Sequence, residues 1–504
     1  MSDSIQLLLY ASFFILFAFA CIYLYFRYKY TYWTRKGVSH LKPKFPLGNN
    51  ECIGTEAFSY GIETVEWYKE FKRRGLKCGG AWSWCNPVLI VTDPGYIKEI
   101  LLKSFPSFST RDFYHNPEYD PKNENIFVVD KEVWKNLRQK LTPVFTTAKM
   151  KLMFLAVVKC TEPMMDIFAK NAETEKDIDI REVFASYTTD VIGNVAFGLD
   201  FGSFSSEEGE FRKMGKEIFR STPKRKLYLM LTRICEPIAR YLGINNIPEP
   251  VTEFFTETLT ETVKFRQINN SRKSDFLQLL INLYETTKDE EKPFTFDDLI
   301  GNVILFFIAG FDTSSTTMNF ALYELALNPK LQDKTREEIR RVLDEHKGEL
   351  TYESFKEMTY LRQVIDETLR KYPPVQAIAR KTVKPHRFED ENFTLEKGIS
   401  VVIPILALGR DPDYFPNPDQ FDPERFNAEN KQNINQYAYL PFGEGPRNCI
   451  AKRFGLMQTS IGLIQVLKDY KVSISPKTKM PLTLKKGLFL MQPNETLYLR
   501  ITKA

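Results

Sequence analysis

A long, mainly apolar stretch between Thr295 and Pro329 limits the architecture of this chain more than any other segment. Thr295, with Asp298 three residues later, forms a capping-box-like helix start, and Pro329 favours a helix end just before it. A helix of about 32 residues is about 48 Å long. Because apolar residues lie on nearly all sides of this helix, it must be buried inside a large domain.

The middle of this helix contains the run Ala309-Gly310-Phe311-Asp312-Thr313-Ser314. Gly, Asp and Thr all disfavour the centre of a buried helix. Such departures from local preference are expected at functional sites, which is one interpretation of the run. The other is a kink, stabilised by the threonine hydroxyl on the preceding turn. The residues alone leave both interpretations open.

The remaining patterns predict a mainly α fold with small β-sheets, in one large domain without internal repeats. Helical periodicity covers residues 60–75, much of 130–270 and the segment that ends at Tyr372-Pro373. The predicted strands are short and lie at Pro87–Thr92, within 380–404 and near 470–501. The charge-rich stretch 264–293 is interpreted as a surface connector.

An uncharged run of 22 residues, Ile5–Phe26, stands near the N-terminus. As a helix it is about 33 Å long, enough to cross the hydrocarbon core of a membrane. The basic residues after the run predict that the downstream side faces the cytoplasm. A cleaved signal peptide is the alternative, but no basic segment precedes the run and no small-x-small cleavage site follows it. The predicted boundaries are a lumenal tail at 1–4, a membrane span at 5–26, a basic, proline-containing connector at 27–50 and the body at 51–504.

Charge and cysteine usage exclude several classes of protein. The net charge of +5 is modest for this length and does not suggest a nucleic-acid partner. The seven cysteines are odd in number and form no Cys-x-x-Cys pair, which indicates a reduced, cytosol-facing protein rather than a disulfide scaffold. The four histidines form no recognisable metal site.

The segment Pro441–Ala451 surrounds the cysteine that we expect to carry the chemistry. Gly443 and Gly445 permit backbone conformations closed to other residues, and a close approach to a flat ligand. Arg447 places a cation two residues before Cys449, and a helical pattern follows. A cysteine near a helix N-terminus favours its thiolate, which is a good soft ligand for iron. A buried, inert cysteine is the alternative.

At this point the sequence resembles the cytochrome P-450 family over nearly its whole length. The motifs that carry the resemblance occur in the family's order: Trp134 and Arg138, the run 309–314, Glu367 with Arg370, Pro423–Phe426, and Phe442-x-x-Gly445-x-Arg447-x-Cys449. The anchor and connector match the microsomal branch, and residues 445–450 are similar to the clan of drug-metabolising liver enzymes and nematode relatives. The family's glycine after the cysteine is replaced by Ala451, and the connector has fewer prolines than is typical.

The resemblance implies a haem b cofactor with Cys449 as the axial ligand of the iron. The other residues implied to contact the haem are Phe442, Gly443, Arg447, Trp134, Arg138, Arg380, Ala309 and Gly310. Thr313 and Asp312 are implied to be the catalytic pair that hydrogen-bonds oxygen and delivers protons. Glu367, Arg370 and Arg425 are implied to form a buried structural charge network.

The implied reaction is insertion of one atom of dioxygen into a lipophilic small molecule, such as a xenobiotic, a steroid or a fatty-acid-like compound. Electrons come from NADPH through a separate reductase, with a cytochrome b-type donor as a second partner. A basic patch of Lys135, Lys140, Lys452 and Arg453 is a candidate docking site for the reductase, although ordinary solvated lysines are an equal alternative. The expected location is the endoplasmic reticulum membrane, with the catalytic body in the cytoplasm.

Substrate contacts are expected from their position in the chain, and most are apolar. The candidates are the loop Phe105–Phe127, Phe306, Ile308, Ala309, Gln376, Ala377, Ile378, Leu488, Phe489 and Leu490. The segment 226–242 either dips into the membrane or forms a core helix.

Three other functions are weighed against the monooxygenase. An isomerase or dehydratase of the same fold tends to lack the acid–alcohol pair, which is present here as Asp312-Thr313. A haem sensor without turnover is disfavoured by the intact oxygen-binding run. A membrane-tethered receptor predicts no cofactor at all.

Overall fold

Helices dominate the computed structural model, which describes residues 3–50, 60–204, 209–220, 222–271, 273, 275–486 and 489–504. The predicted substrate contact Leu488 lies outside the described residues. The helices are Asp3–Lys29, Tyr32–Arg35, Glu63–Arg73, Pro94–Lys98, Lys131–Leu141, Thr147–Lys159, Glu162–Thr174, Ile180–Val191, Glu210–Ile218, Pro223–Ile234, Glu236–Tyr241, Glu249–Ile268, Phe276–Thr286, Phe296–Leu327, Pro329–Glu345, Ser354–Glu357, Thr359–Lys371, Ile405–Leu408 and Lys452–Asp469.

Two small sheets complete the fold. The first has four strands, in the spatial order Cys78–Ser83, Asn86–Val91, Ser400–Ile403 and Ile378–Lys381. The second has three strands, in the order Ile178–Asp179, Tyr498–Lys503 and Tyr470–Ile474. In the first sheet only the central pair is parallel, with Leu89 opposite Val401. The predicted class, mainly α with small sheets, is confirmed.

The helix Phe296–Leu327, here called the central helix, is the core of the molecule. Thr295 caps it as predicted, because its hydroxyl accepts from the Asp298 N–H at 3.1 Å and the Asp298 carboxylate accepts from the Thr295 N–H at 2.7 Å. The helix ends one residue before Asn328, close to the predicted proline. Its side chains are buried over most of its length, and it packs against the helices Ile180–Val191 and Lys452–Asp469.

The prediction of a surface connector at 264–293 is wrong for its central part. Phe276–Thr286 is a helix whose Phe276, Leu277, Leu280 and Ile281 are buried in the core. The charges that suggested a connector are concentrated on both sides of these residues. The four apolar residues have the spacing of one helical face, which is the signal that decides the structure.

The N-terminal helix Asp3–Lys29 exposes its apolar side chains and is joined tightly to the body. Among the described residues, Ser4–Arg35 is one of two single helices long and apolar enough to cross a membrane, and none of its apolar window is buried. The second is the central helix, of which 67% is buried inside the protein. At the junction Trp33 is fully buried and donates to the Ala81 carbonyl at 2.9 Å.

Residues 226–242 lie on the helices Pro223–Ile234 and Glu236–Tyr241. Leu227, Ile238, Tyr241 and Leu242 on this pair are exposed, whereas Leu229 and Ala239 are buried. The pair is therefore a surface element with an outward apolar side, and the alternative of a core helix is wrong.

Candidate active site

A cavity of about 500 Å³ lies between the central helix and the segment that contains Cys449. This volume is in the range of about 300–1,000 Å³ that is usual for ligand sites. Thr313 and Ala309 line it from the central helix, and Phe442 and Cys449 line it from the opposite wall. The two sequence features with the strongest functional signal therefore face one another across one space.

The loop before the helix Lys452–Asp469 holds Cys449 at the cavity. Gly443 and Gly445 have φ of 68° and 76°, and a Cβ at Gly445 would lie 2.1 Å from the Leu101 carbonyl oxygen, so this tight turn requires glycine. The Cys449 N–H donates to the Phe442 carbonyl at 2.8 Å, which fixes the cysteine backbone. Cys449 is accessible, and it faces the cavity.

The surroundings of the Cys449 sulfur have two opposite effects on the pKa of its thiol. Burial raises the pKa of the thiol, whereas the Ala451 N–H and the guanidiniums of Arg111 and Arg138 stabilise the thiolate. A metal cation at the sulfur reverses the effect of burial, because a coordinating thiol is deprotonated. The site therefore suits a cysteine that becomes a thiolate by binding a metal.

Four guanidiniums, those of Arg111, Arg138, Arg380 and Arg447, converge on the same cavity. Arg111 donates to the Arg447 carbonyl at 2.8 Å, and Arg138 donates to the Asn448 carbonyl and amide oxygens, both at 2.8 Å. Arg447 donates to the Val129 carbonyl at 2.7 Å, and Arg380 to the Ala379 carbonyl at 2.9 Å. In the described part of the chain their partners are thus amide oxygens rather than carboxylates.

Burial, and for Arg111 and Arg447 also the charge of neighbouring guanidiniums, disfavours the charged form in this cluster. Burial, together with the charge of Arg380, lowers the pKa of Arg447 to about 9, and burial lowers the pKa of Arg380 to about 10. The Arg447 Nε is buried without a hydrogen-bond partner among the described residues, and its guanidinium lies 4.7 Å from the Trp134 ring centre. A ligand with two carboxylates would pair with this cluster, so the residues fit a haem with its propionates.

The two predicted catalytic residues have different surroundings. The Thr313 hydroxyl lines the cavity and donates to the Ala309 carbonyl at 2.7 Å. Asp312 is buried, and its carboxylate lies 3.8 Å from the Arg181 guanidinium, on another side of the helix. Burial raises the pKa of Asp312, and the Arg181 and Arg212 guanidiniums oppose this effect.

The three residues of the predicted charge network are brought together behind the cavity. Arg370 and Glu367 are fully buried, and two guanidinium nitrogens of Arg370 donate to the two Glu367 oxygens at 2.7 and 2.8 Å. Arg425 lies 3.5 Å from the same carboxylate. Arg370 also donates to the Gly409 carbonyl at 2.6 Å, which ties the helix Thr359–Lys371 to the loop that follows Ile405–Leu408.

The apolar part of the cavity contains nearly all of the predicted substrate contacts. Those that line it are Phe306, Ile308, Ala309, Ala377, Ile378, Phe489 and Leu490. Phe113, Phe127 and Phe489 form an aromatic group in which the Phe113 and Phe127 ring centres are 4.7 Å apart. The predicted loop 105–127 supplies two of these three rings.

Comparison with known proteins agrees with this geometry. The family model described as Cytochrome P450 matches residues 64–500. The chain belongs to the cytochrome P450 family. It is 37% identical to the "Probable cytochrome P450 6a13" of Drosophila melanogaster, over 95% of this chain and 96% of that protein. It is 36% identical to the "Cytochrome P450 6A1" of Musca domestica, over 96% of each chain.

Membership of the cytochrome P450 family confirms the predicted activity. The protein is a haem-dependent monooxygenase that acts on lipophilic substrates, with haem b as its cofactor and NADPH electrons supplied through a reductase. The receptor alternative, which predicted no cofactor, is wrong. The relatives named here are insect enzymes.

Two details of this P450 site differ from what its motifs suggested. Ala451, where the family usually has glycine, has a φ of −95°, which any L-residue adopts, so the substitution needs no rearrangement. Arg111 is a cation of the cluster near Cys449 that sequence reasoning missed. It lies in the irregular loop between Phe105 and Phe127, and its isolated position among aromatic residues was the only available signal.

Proposed function

We propose that Cys449 would hold the haem iron through its sulfur and that Arg111, Arg138, Arg380 and Arg447 would bind the two propionates. The observation that carries this proposal is the cluster of four guanidiniums beside the accessible cysteine, two of them buried and two half-buried. In the described chain none of their hydrogen-bond partners is a protein carboxylate. When bound, the haem supplies the iron at which the reductase's electrons activate dioxygen. Phe442 shields the sulfur, and Trp134 supports Arg447 from one ring face.

In this proposal Thr313, on the opposite wall of the cavity, and Asp312, on another side of the same helix, deliver protons. The Thr313 proton is engaged by the Ala309 carbonyl, so the hydroxyl oxygen accepts hydrogen bonds from the cavity. Asp312 holds a proton more readily than an exposed carboxyl group, because burial raises its pKa. Ala309 and Gly310 line the cavity beside Thr313, and the missing side chain of Gly310 makes room for Ile192. The Glu367, Arg370 and Arg425 network would stabilise the fold around the haem site.

The decisive experiment is the carbon-monoxide difference spectrum of the reduced protein in membranes, with Cys449→Ser as the comparison. We expect a strongly red-shifted Soret band in the unmodified protein and its loss in the variant. Cys78→Ser is the matched control, because Cys78 is buried in the first sheet, outside the cavity. Retention of the shifted band in Cys449→Ser would exclude this cysteine as the ligand.

For the membrane arrangement we infer a single-pass protein of the endoplasmic reticulum with its catalytic domain in the cytoplasm. Residues 1–4 are lumenal, 5–26 span the membrane, 27–50 connect, and 51–504 form the catalytic domain. The exposed apolar helix Asp3–Lys29 and the basic residues at its end support this topology. Protease added to sealed microsomes tests it, since it should degrade the catalytic domain without detergent.

A cytochrome b-type protein is proposed as a second electron donor, at the same surface as the reductase. Lys135, Lys452 and Arg453 are exposed on the cysteine side of the molecule, and the Lys452 ammonium lies 5.4 Å from the Phe442 ring centre. Lys140 is paired with Glu290 at 3.3 Å and is therefore less available. Competition between the two donors for one P450 preparation tests whether they share this surface.

A further inference from the structure

One part of the cavity, here called the polar end, is lined by polar side chains. Asp120, Asn123, Arg225 and Asn246 all line it there. These residues come from two loops and from the beginning of the helix Pro223–Ile234. The Arg225 guanidinium donates to the Asn246 carbonyl at 3.0 Å, which draws the second loop and the helix together.

Two amide oxygens at this end, Asn123 Oδ1 and Asn246 Oδ1, are buried without a hydrogen-bond partner in the described part of the chain. The Asn123 amide nitrogen donates to the Asp120 carboxylate, and the Asn246 amide nitrogen donates to the Tyr114 carbonyl. These bonds fix which atom of each amide is the oxygen. Asn123 itself is only 7% exposed, and a buried unpaired acceptor is unfavourable until a ligand supplies a donor.

The charges nearby favour a neutral ligand group. The Asp120 carboxylate disfavours an anion, and the Arg225 guanidinium disfavours a cation. The neighbouring His115 and Glu124 are already paired, with 2.9 Å between His115 Nδ1 and the carboxylate. The ligand group that fits the polar end is therefore an uncharged hydrogen-bond donor.

The polar end is far from Thr313. The Glu124 carbonyl, one residue after Asn123, is so close to the central helix that a Cβ on Gly301 would lie 2.3 Å from it. Gly301 and Thr313 are twelve residues apart on one helix, which corresponds to about 18 Å along its axis. The aromatic rings of Phe113, Phe127 and Phe489 lie on the same cavity and offer an apolar middle section.

We propose that the polar end binds a neutral hydrogen-bond donor, such as an alcohol or an amide N–H, of an elongated lipophilic substrate. The substrate's opposite, apolar end then lies beside Thr313 and is the end that is oxidised. This inference rests on the proposed function, because it takes the Cys449 side of the cavity as the site of oxidation.

The test uses the full-length holoenzyme in membranes and two probes, hexadecanol and its methyl ether. Both have the same chain and an oxygen acceptor, but only the alcohol has a donor. The shift of the haem Soret band gives each dissociation constant. We expect the alcohol to bind about tenfold more tightly, which corresponds to one net hydrogen bond.

In Asn123→Leu this preference should fall to about twofold or less, because the buried acceptor is removed. Asn282→Leu is the matched control, since Asn282 is exposed on the helix Phe276–Thr286, and it should keep the tenfold preference. A second measurement, on the unmodified enzyme, is the position of oxidation, which we expect in the half of the chain remote from the hydroxyl.

Equal affinities of the unmodified enzyme for alcohol and ether, or products oxidised beside the hydroxyl, would overturn the inference. Failure of the proposed function has a different signature. In that case the red-shifted carbon-monoxide band is absent from the unmodified protein or persists in Cys449→Ser, whatever the probes do.

Discussion

Thr313 and Asp312 are adjacent in the chain, yet only Thr313 faces the cavity. The Thr313 hydroxyl is held by the Ala309 carbonyl, and the Asp312 carboxylate is directed toward Arg181, which is one-third exposed. The pair therefore connects two environments, the cavity and a cationic side of the helix near solvent. A proton that moves from Arg181's surroundings to the cavity passes this one turn of the central helix.

At the residue scale, we predict that Thr313→Ala lowers product formation on the order of 10²-fold while haem binding is kept. The alanine removes the Thr313 hydroxyl, which lines the cavity together with those of Ser314 and Thr317, so protons are delivered less well. Electrons then leave as peroxide, and the ratio of product to NADPH consumed falls. Thr313→Ser keeps a hydroxyl and should recover most of the coupling. Wild-type coupling in Thr313→Ala would show that this hydroxyl has no part in proton delivery.

Most of the candidate residues could be predicted because their motifs have fixed spacing. The structure brings Trp134, Arg138, Arg380 and Arg447 to one cavity. Arg111 could not be found in this way, because an irregular loop has no periodicity that tells which side chains point inward. The sequence could not reveal the unpaired oxygens of Asn123 and Asn246 either, since hydrogen bonding of these side chains depends on contacts between distant segments.

At the scale of elements, the central helix and the loop before Ile126 are packed without space between them. A Cβ on Gly301 would lie 2.3 Å from the Glu124 carbonyl oxygen and 2.8 Å from that of Lys122. The Asn302 side chain beside it accepts from the Ile126 N–H at 3.1 Å. This contact positions the loop that supplies Arg111 and Asn123 to the cavity.

We therefore predict that Gly301→Ala destabilises the protein by about 1–3 kcal/mol, because backbone atoms must move apart. Intrinsic helix propensity alone predicts the opposite change in stability, because alanine stabilises a helix relative to glycine by about 1 kcal/mol. Gly455→Ala is the matched control within a helix, since its Cβ would meet only Ser314 Oγ at 3.8 Å. The thermal unfolding midpoints of the two variants distinguish the effect of close packing from that of helix propensity. Equal midpoints for Gly301→Ala and Gly455→Ala would contradict the packing argument.

Elements whose apolar residues follow one clear period could be predicted from the sequence, whereas elements with conflicting sequence features could not. The capped start of the central helix, the helix Glu63–Arg73 and the strand Asn86–Val91 all lie close to their predicted positions. Phe276–Thr286 was missed because flanking charges hid a short apolar face. The strand Cys78–Ser83, of sequence Cys-Gly-Gly-Ala-Trp-Ser, has two glycines and no alternation, so only its pairing with Asn86–Val91 makes it a strand.

At the scale of the whole molecule, two surfaces are candidates for contacts with partners. The helix pair Pro223–Tyr241 exposes apolar side chains, and Lys135, Lys452 and Arg453 are exposed basic residues. We propose the first surface for the membrane and the second for the reductase, so that these partners bind different parts of the enzyme.

For the basic surface we predict that Lys135→Glu combined with Arg453→Glu lowers reductase-driven turnover about tenfold at low salt. Charge complementarity chiefly sets the rate at which the reductase associates. The loss of turnover relative to the unmodified enzyme should therefore decrease as salt screens the charges. Turnover supported by an organic peroxide needs no reductase and should be unchanged, which controls for damage to the haem site. An equal loss in both assays would mean that these residues support the fold instead of docking.

At the junction between the N-terminal helix and the body, we predict that one change abolishes membrane attachment and another, at Trp33, lowers the stability of the fold. Phe26 and Trp33 are buried, and Trp82 Nε1 donates to the Lys29 carbonyl at 3.2 Å, whereas residues before Phe26 expose their apolar side chains. A chain that lacks residues 1–25 should leave the membrane fraction and keep the red-shifted carbon-monoxide band, because the core contacts remain. Full-length Trp33→Ala should stay in the membrane and lose about 3–5 kcal/mol of stability, because a large buried side chain is removed. Tyr28→Ala, at a side chain that is 61% exposed, should change neither property. If the truncated chain lost the haem band, the N-terminal helix would be part of the folding unit rather than an attachment to it.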